Sequence, residues 1–274
     1  MSFFESKSRK YLNRTERITD KKSFSSDDEL RETEKRLNKR FTDIPWEQEG
    51  RMEFDISSKK GEPAHMVFEY DSVIDEKMED YLRPLRRVPD GPYIVDESRQ
   101  ESVRRIRNVV VTRGEYRFDL SDFAGDDLSV YIRLNPDPYH TTSFYNPESK
   151  LIVVNKDVTS PSGLDILFHE SAHRLKDMTE NPEYYKHLAS IRGRSIRRQP
   201  IFTAERVALI RDERFADAFA LRTLYRLLGE SKQFEDLKKW TYGVNLKSYY
   251  TQDNHKDVTS RNLLGTLTDR LIHR

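Results

Sequence analysis

The sequence predicts an α+β fold, and three observations carry that expectation. Two early segments, "RMEFDIS" and "AHMVFEYD", alternate apolar and polar residues as half-buried strands do. "KLIVVNK" is a short β-branched run of the same kind. Against these stand two helical segments, 164–178 and 203–230, with apolar residues at helical spacing. Strands and helices occur together without a regular one-to-one alternation, as in an α+β fold.

Taken in order, residues 1–25 are polar, mixed in charge and without apolar periodicity, and read as a flexible tail. Ser26 opens a capping box with Glu29. The helix it starts carries Leu30, Leu37 and Phe41 on a narrow stripe and stops before Pro45. With so few apolar anchors it must dock on another element. The two alternating strands follow, joined by the turn-like "SKKGEP". A second capping box, Ser98 with Glu101, predicts a helix carrying Val103, Ile106 and Val110. "EYRFDL" and "LSVYIRL" are expected as strands around a turn at Gly125. "NPDPYHTTSFYNPES" reads as a loop leading into the strand "KLIVVNK".

Ser160 or Ser162 can cap the next helix, with Pro161 in its first turn. Leu164, Leu167, Phe168, Leu175 and Met178 form its apolar face. A polar, arginine-dotted connection leads to Pro200. The helix Thr203–Glu230 is apolar on most faces from Phe215 to Leu228 and stops at Gly229, which marks a largely buried element. Helices around Leu237 and Leu264 are expected in the polar C-terminal part. The organisation expected is thus a tail over 1–25, an N-terminal helix and strands of unknown role over 26–94, and a domain over 95–274.

Composition narrows the function classes. Forty-eight basic against 47 acidic residues give a net charge of +1, so bulk-charge attraction to nucleic acid or membrane is not expected. There is no cysteine, hence no disulfide, thiolate ligand or cysteine nucleophile. Any metal must be held by histidine and carboxylate. Charges begin at Glu5 and no apolar signal core follows. A cytoplasmic protein is therefore expected by default, with signal-less export also open.

The chemistry concentrates in "LDILFHESAHRLKDM". His169 and His173 stand at i and i+4, so both imidazoles project from one helical face and can bind one tetrahedral ion. Glu170 sits beside the first, and the arrangement matches the H-E-x-x-H signature. A catalytic zinc site needs a third protein ligand. "ERFAD" offers Glu213 and Asp217, again at i and i+4, among Phe215, Ala216, Ala218, Phe219 and Ala220. Buried carboxylates require a positive partner. Arg211, Arg214 or Arg222 would serve on an exposed face; a zinc ion and a ligand imidazole would serve on a buried one. Either carboxylate can bind zinc. The longer arm of Glu213 favours it as ligand, and the shorter Asp217 suits a hydrogen bond to an imidazole.

H-E-x-x-H followed by E-x-x-x-D resembles the gluzincin zinc metallopeptidases. "DERFADAFALRTLYR" is most similar to the lethal factor catalytic domain and the related Pro-Pro endopeptidases. "SFYNPESKLIVVNK" also resembles the loop and strand before the zinc helix of many zincins. The resemblance covers roughly residues 140–228. It implies a zincin-like fold, a small mixed sheet above an active-site helix with a helical C-terminal part. It further implies zinc on His169, His173 and Glu213, Glu170 as general base, Asp217 as partner of His169, and a protein or peptide substrate. By the same likeness "KLIVVNK" is expected to border the cleft and offer a free edge to an extended peptide.

One position departs from the pattern. Lethal factor-like enzymes carry a catalytic tyrosine seven residues before the third ligand, and here that residue is Arg206. Tyr184, Tyr185, His187, His255, Arg198 and Arg206 are candidate oxyanion donors. His140 is expected near the cleft without being a ligand, and Arg192, Arg194, Arg197 and Arg198 as a basic rim or a solvated loop. Two other classes stay open: a zincin-fold zinc-binding scaffold with weak or no catalysis, and a metal-free partner-binding protein.

Overall fold

The computed structural model describes residues 24–45, 49–56, 62–71, 85–87, 93–95, 103–124, 127–133, 143–180, 183, 185, 187 and 204–241. Nine strands are described: β1 (Gly50–Ile56), β2 (Ala64–Asp71), β3 (Leu85–Arg87), β4 (Tyr93–Val95), β5 (Val103–Arg113), β6 (Tyr116–Asp119), β7 (Ser129–Arg133), β8 (Phe144–Asn146) and β9 (Leu151–Val154). The described helices are α1 (Asp27–Leu37), α2 (Ser121–Ala124), α3 (Pro161–Thr179), α4 (Ala204–Leu228) and α5 (Lys232–Trp240).

Seven strands form one mixed sheet in the order β1-β2-β5-β7-β9-β8, with β6 paired to the far end of β5. The β7–β9 pair is parallel and its neighbours are antiparallel. Strands β3 and β4 form a separate two-stranded ribbon. The molecule is therefore α+β with a mixed sheet. Its main core joins Phe68, Val109, Val111, Ile132, Ile152 and Val154 of the sheet to Leu164, Leu167 and Phe168 of α3, Leu224 and Leu227 of α4 and Leu237 of α5. Val103, Tyr131, Leu151 and Val153 form a smaller cluster. Strands β1 and β2 belong to the same sheet as β5, so the division expected at residue 94 falls between strands of one sheet.

Two expectations are corrected. The helix expected to carry Val103, Ile106 and Val110 is strand β5, while Ser98 and Glu101 lie outside the described residues. The β-branched run Val109–Thr112 favours a strand. Val103 and Ile106, three apart, fall in different clusters, as residues on opposite faces of a strand do. The β2–β5 register slips between Glu69 and Tyr70, so Asn108 and Ile106 pair with consecutive residues and Arg107 is skipped. The slip keeps Ile106 and Val109 in one cluster despite their odd separation. Secondly, β9 is interior, paired on one side to β7 and on the other to β8. All four of its residues are buried, as a strand covered on both faces requires. Among the described residues the edge beside it is β8, formed within the segment expected as loop. Asn146 Oδ1 accepts the backbone N–H groups of Glu148 and Ser149 at 2.9 and 3.3 Å, and Lys150, at φ 51°, closes this hairpin turn.

The helix ends follow local chemistry. Ser26 accepts the N–H of Glu29 at 3.1 Å, and the Glu29 carboxylate accepts the N–H and hydroxyl of Ser25 at 2.7 and 2.8 Å. Helix α1 docks on α5 through Arg36 and Asp236 at 2.7 Å and through Lys239 and Glu29. Ser160 caps α3, accepting the N–H of Gly163 at 3.2 Å, with Pro161 in the first turn. Gly163 is required there, because a Cβ would lie 1.9 Å from the Asp157 carbonyl oxygen. The chain after α1 grips this same corner: Phe41 N–H donates to the Thr159 carbonyl at 2.7 Å, Arg40 meets Asp157 at 2.7 Å, and Ser162 donates to Asn38 at 2.7 Å. No helix among the described residues is long and apolar enough to cross a membrane.

Candidate metal centre

Helices α3 and α4 pack along one another and bring the two sequence motifs together. His169 and His173, one turn apart on α3, stack edge to face with ring centroids 4.8 Å apart. Their Nε2 atoms lie 3.1 Å from each other. Glu213 reaches across from α4, placing Oε2 at 3.2 Å from His169 Nε2 and 3.7 Å from His173 Nε2. An ion with tetrahedral bonds of ~2.0–2.1 Å separates its ligand atoms by about 3.3–3.4 Å. The three separations bracket that value. His169, His173 and Glu213 thus form a group that could hold a metal ion.

The far sides of both rings meet carboxylates. His169 Nδ1 lies 3.0 Å from Asp217 Oδ1. A carboxylate accepts only, so Nδ1 carries the proton and Nε2 presents its lone pair toward Glu213 and His173. His173 Nδ1 lies 3.0 Å from Asp212 Oδ2, again a carboxylate that can only accept. It gives the second ring the same polarity. Two lone pairs and a carboxylate oxygen therefore converge on one point, and such a set is stable only around a cation or a proton. Burial disfavours charge on His169, but the hydrogen bonds to Asp217 and Glu213 outweigh it and raise its pKa well above the usual imidazole value. Without metal, a proton takes the place an ion would fill.

The environment is buried and acidic. Glu170, His173, Asp212, Glu213 and Asp217 are all buried. Asp165, one turn before His169, is pushed up to about 7 by burial and then by the charge of Asp217; His169 and Lys156 act in the opposite direction. On the other side of His173, Arg174 joins Asp177 at 3.2 Å, Asp127 at 2.8 Å and the Tyr145 hydroxyl at 3.3 Å. Tyr145 donates to Asp177 at 2.5 Å, which ties edge strand β8 to the helix bearing both histidines. Burial, followed by that bond to Asp177, raises the Tyr145 phenol above its ordinary value.

Asp212 is the site residue that sequence reasoning missed. It is 1% exposed, and its one signal was its place beside Glu213 in "RDERFAD" on a helix read as buried. Tyr185, a candidate oxyanion donor, is buried with its hydroxyl 3.4 Å from Asp212 Oδ2, behind His173. His187 is exposed. Tyr184, Arg198 and His255 lie outside the described residues, as do His140, Arg192, Arg194, Arg197 and the side chain of Arg206. Comparison of the chain with models of known protein families, with curated protein sequences and with solved structures finds no match.

Proposed function

We propose that this chain is a zinc-dependent metallopeptidase that hydrolyses peptide bonds in a protein or peptide substrate, built on a zincin-like arrangement of sheet and active-site helix. The observation that carries the reading is the convergence of His169 Nε2, His173 Nε2 and Glu213 Oε2 at 3.1–3.7 Å. Two imidazoles and one carboxylate are the donor set of catalytic zinc, with a fourth position left for water or substrate. A bound zinc ion would supply Lewis acidity toward water and the scissile carbonyl.

The remaining work falls to the chain. Glu170 neighbours His169 but contributes no atom to the ligand group, so its carboxylate stays available as a base. It takes the proton of the attacking water and delivers it to the leaving amine. Asp217 and Asp212 hold the two imidazoles with Nε2 inward. Edge strand β8 replaces β9 as the strand able to align an extended peptide through main-chain pairing. Burial of the site excludes competing water and strengthens its electrostatics.

A second reading, a zinc-binding scaffold without strong catalysis, is favoured by Arg206 standing where the resembling enzymes carry tyrosine. One experiment separates the readings. Protein purified without chelator is expected to hold about one zinc per chain and to cleave members of a peptide library in a chelator-sensitive way. Glu170→Gln should keep the zinc and lose cleavage by orders of magnitude. Zinc without cleavage would select the scaffold, and no zinc after reconstitution would remove both.

A further inference from the structure

Behind His173 the metal centre continues into a second set of charges. Asp212 faces His173 Nδ1 with one oxygen and Lys176 Nζ with the other, at 3.0 and 3.4 Å. Lys176 lies three residues after His173, so α3 supplies two inward-facing imidazoles and also a cation to the carboxylate behind one of them. Its ammonium also lies 3.2 Å from Glu180 and 5.1 Å from the centre of the Phe215 ring. Asp212 is 1% exposed and the Lys176 side chain 18%.

The need for such a cation follows from the carboxylates. Glu170, Asp212, Glu213 and Asp217 are 6%, 1%, 8% and 6% exposed. Buried anions this close are penalised by lost hydration and by one another. A divalent ion would relieve both penalties; in the metal-free protein the relief has to come from the chain's own cations. We propose that Lys176 is an internal counter-charge of the metal centre: it balances Asp212 in the metal-free protein and so allows the acidic face of α4 to form against α3 in advance. The inference rests on the reading of His169, His173 and Glu213 as a zinc site. It adds a residue that neither binds metal nor touches substrate, yet sets how the empty centre is held.

A counter-charge and a positioning strut differ in sign. Removing a strut loosens Asp212 and His173 and weakens zinc binding. Removing a nearby positive charge destabilises the metal-free centre, while an incoming divalent cation meets less repulsion and binds more tightly. The test is a cycle on the full chain with wild type, Lys176→Met, Lys176→Arg, Asp212→Asn and the Lys176→Met/Asp212→Asn double variant. Thermal unfolding of chelator-treated protein and zinc Kd by competition with a chromophoric chelator are the two measurements. Lys176→Met is expected to lower the metal-free Tm and to bind zinc on the order of tenfold more tightly. Lys176→Arg should match wild type in both. Asp212→Asn should bind zinc roughly 10- to 100-fold more weakly. The double variant, in which the buried charge of Asp212 is removed together with its cation, should regain most of the metal-free Tm that Lys176→Met loses.

Weaker zinc binding by Lys176→Met, in step with Asp212→Asn, would make Lys176 a strut and overturn the proposal. An unchanged metal-free Tm in that variant would do the same. If Lys176→Met does not fold, the double variant decides: folding with restored Tm supports charge balance, and failure to fold overturns it. Wild type that binds no zinc would instead refute the metallopeptidase reading, whereas wild-type binding with the wrong sign in Lys176→Met would refute the counter-charge alone.

Discussion

Glu213 and Asp217 stand one turn apart on α4 and meet different nitrogens of the same imidazole, Nε2 at 3.2 Å and Nδ1 at 3.0 Å. That difference gives them different predicted losses. Glu213→Ala removes the only α4 atom in the ligand group and is expected to abolish tight zinc binding. Asp217→Ala leaves the three ligand atoms present but frees the His169 ring, and should weaken affinity roughly 10- to 100-fold. Chelator competition on both variants checks the order of severity; the reverse order would make Asp217 the ligand. This pairing was partly legible in the sequence, since i, i+4 spacing puts both acids on one face. Which acid faces which nitrogen is a matter of helix rotation and crossing, which spacing does not fix. Asp212 was harder still: it reaches His173 only because α3 and α4 run closely side by side.

The elements hold the site through their ends. The turn before α3 packs so closely that Gly163 has no room for a methyl group against Asp157 backbone. Gly163→Ala is expected to destabilise the fold by about 3 kcal/mol, as overpacking against rigid backbone does, and denaturant unfolding would show it. Beside this corner, α1 and α5 are joined by Arg36 and Asp236. Burial alone would raise the Asp236 pKa, but hydrogen bonds from Arg36 and then Lys232 hold it below the ordinary carboxylate value. A depressed folded pKa stabilises the protein above the unfolded value of about 3.9, and that contribution is lost as pH falls through the folded pKa. Asp236→Asn should therefore cost about 2 kcal/mol at neutral pH, and the gap from wild type should narrow below about pH 4. Urea titrations of both proteins between pH 7 and pH 2.5 would test this; a gap independent of pH would count against the charge. The N-caps at Ser26 and, as one of two candidates with Ser162, at Ser160 were readable because a cap is a local hydrogen bond between neighbours in sequence. Strand β5 was misread because Val103 and Ile106 are both buried but in different clusters, and that burial comes from elements distant in sequence.

For the whole molecule, the ion would act as a clasp between α3 and α4, which also join through apolar packing, the contacts of three acids with two imidazoles, and Lys176 with Asp212. A ligand that binds only the folded state stabilises it by about 2.7 kcal/mol at a hundredfold excess over Kd. For a chain of this size that corresponds to a rise in Tm of roughly 5–10 °C. Thermal scans with zinc and with chelator should show this shift in wild type and its absence in His173→Ala. Equal melting in both conditions would separate the two helices' packing from any metal.

The sequence by itself determined the features that live within one segment: caps, the hairpin strands β1 and β2, the paired histidines and the two acids on one helical face. Their physical basis is short-range, in hydrogen bonds to neighbouring backbone and in the fixed periods of helix and strand. Only the tertiary structure decided that β9 is interior and β8 the edge, because strand order depends on which surfaces are covered. It alone placed Asp212 and Lys176 behind His173, and it alone closed the gap from His169 to Glu213 across 43 intervening residues. A metal centre is a convergence of atoms to within a few tenths of an ångström, and that precision comes from the packing of α3 against α4.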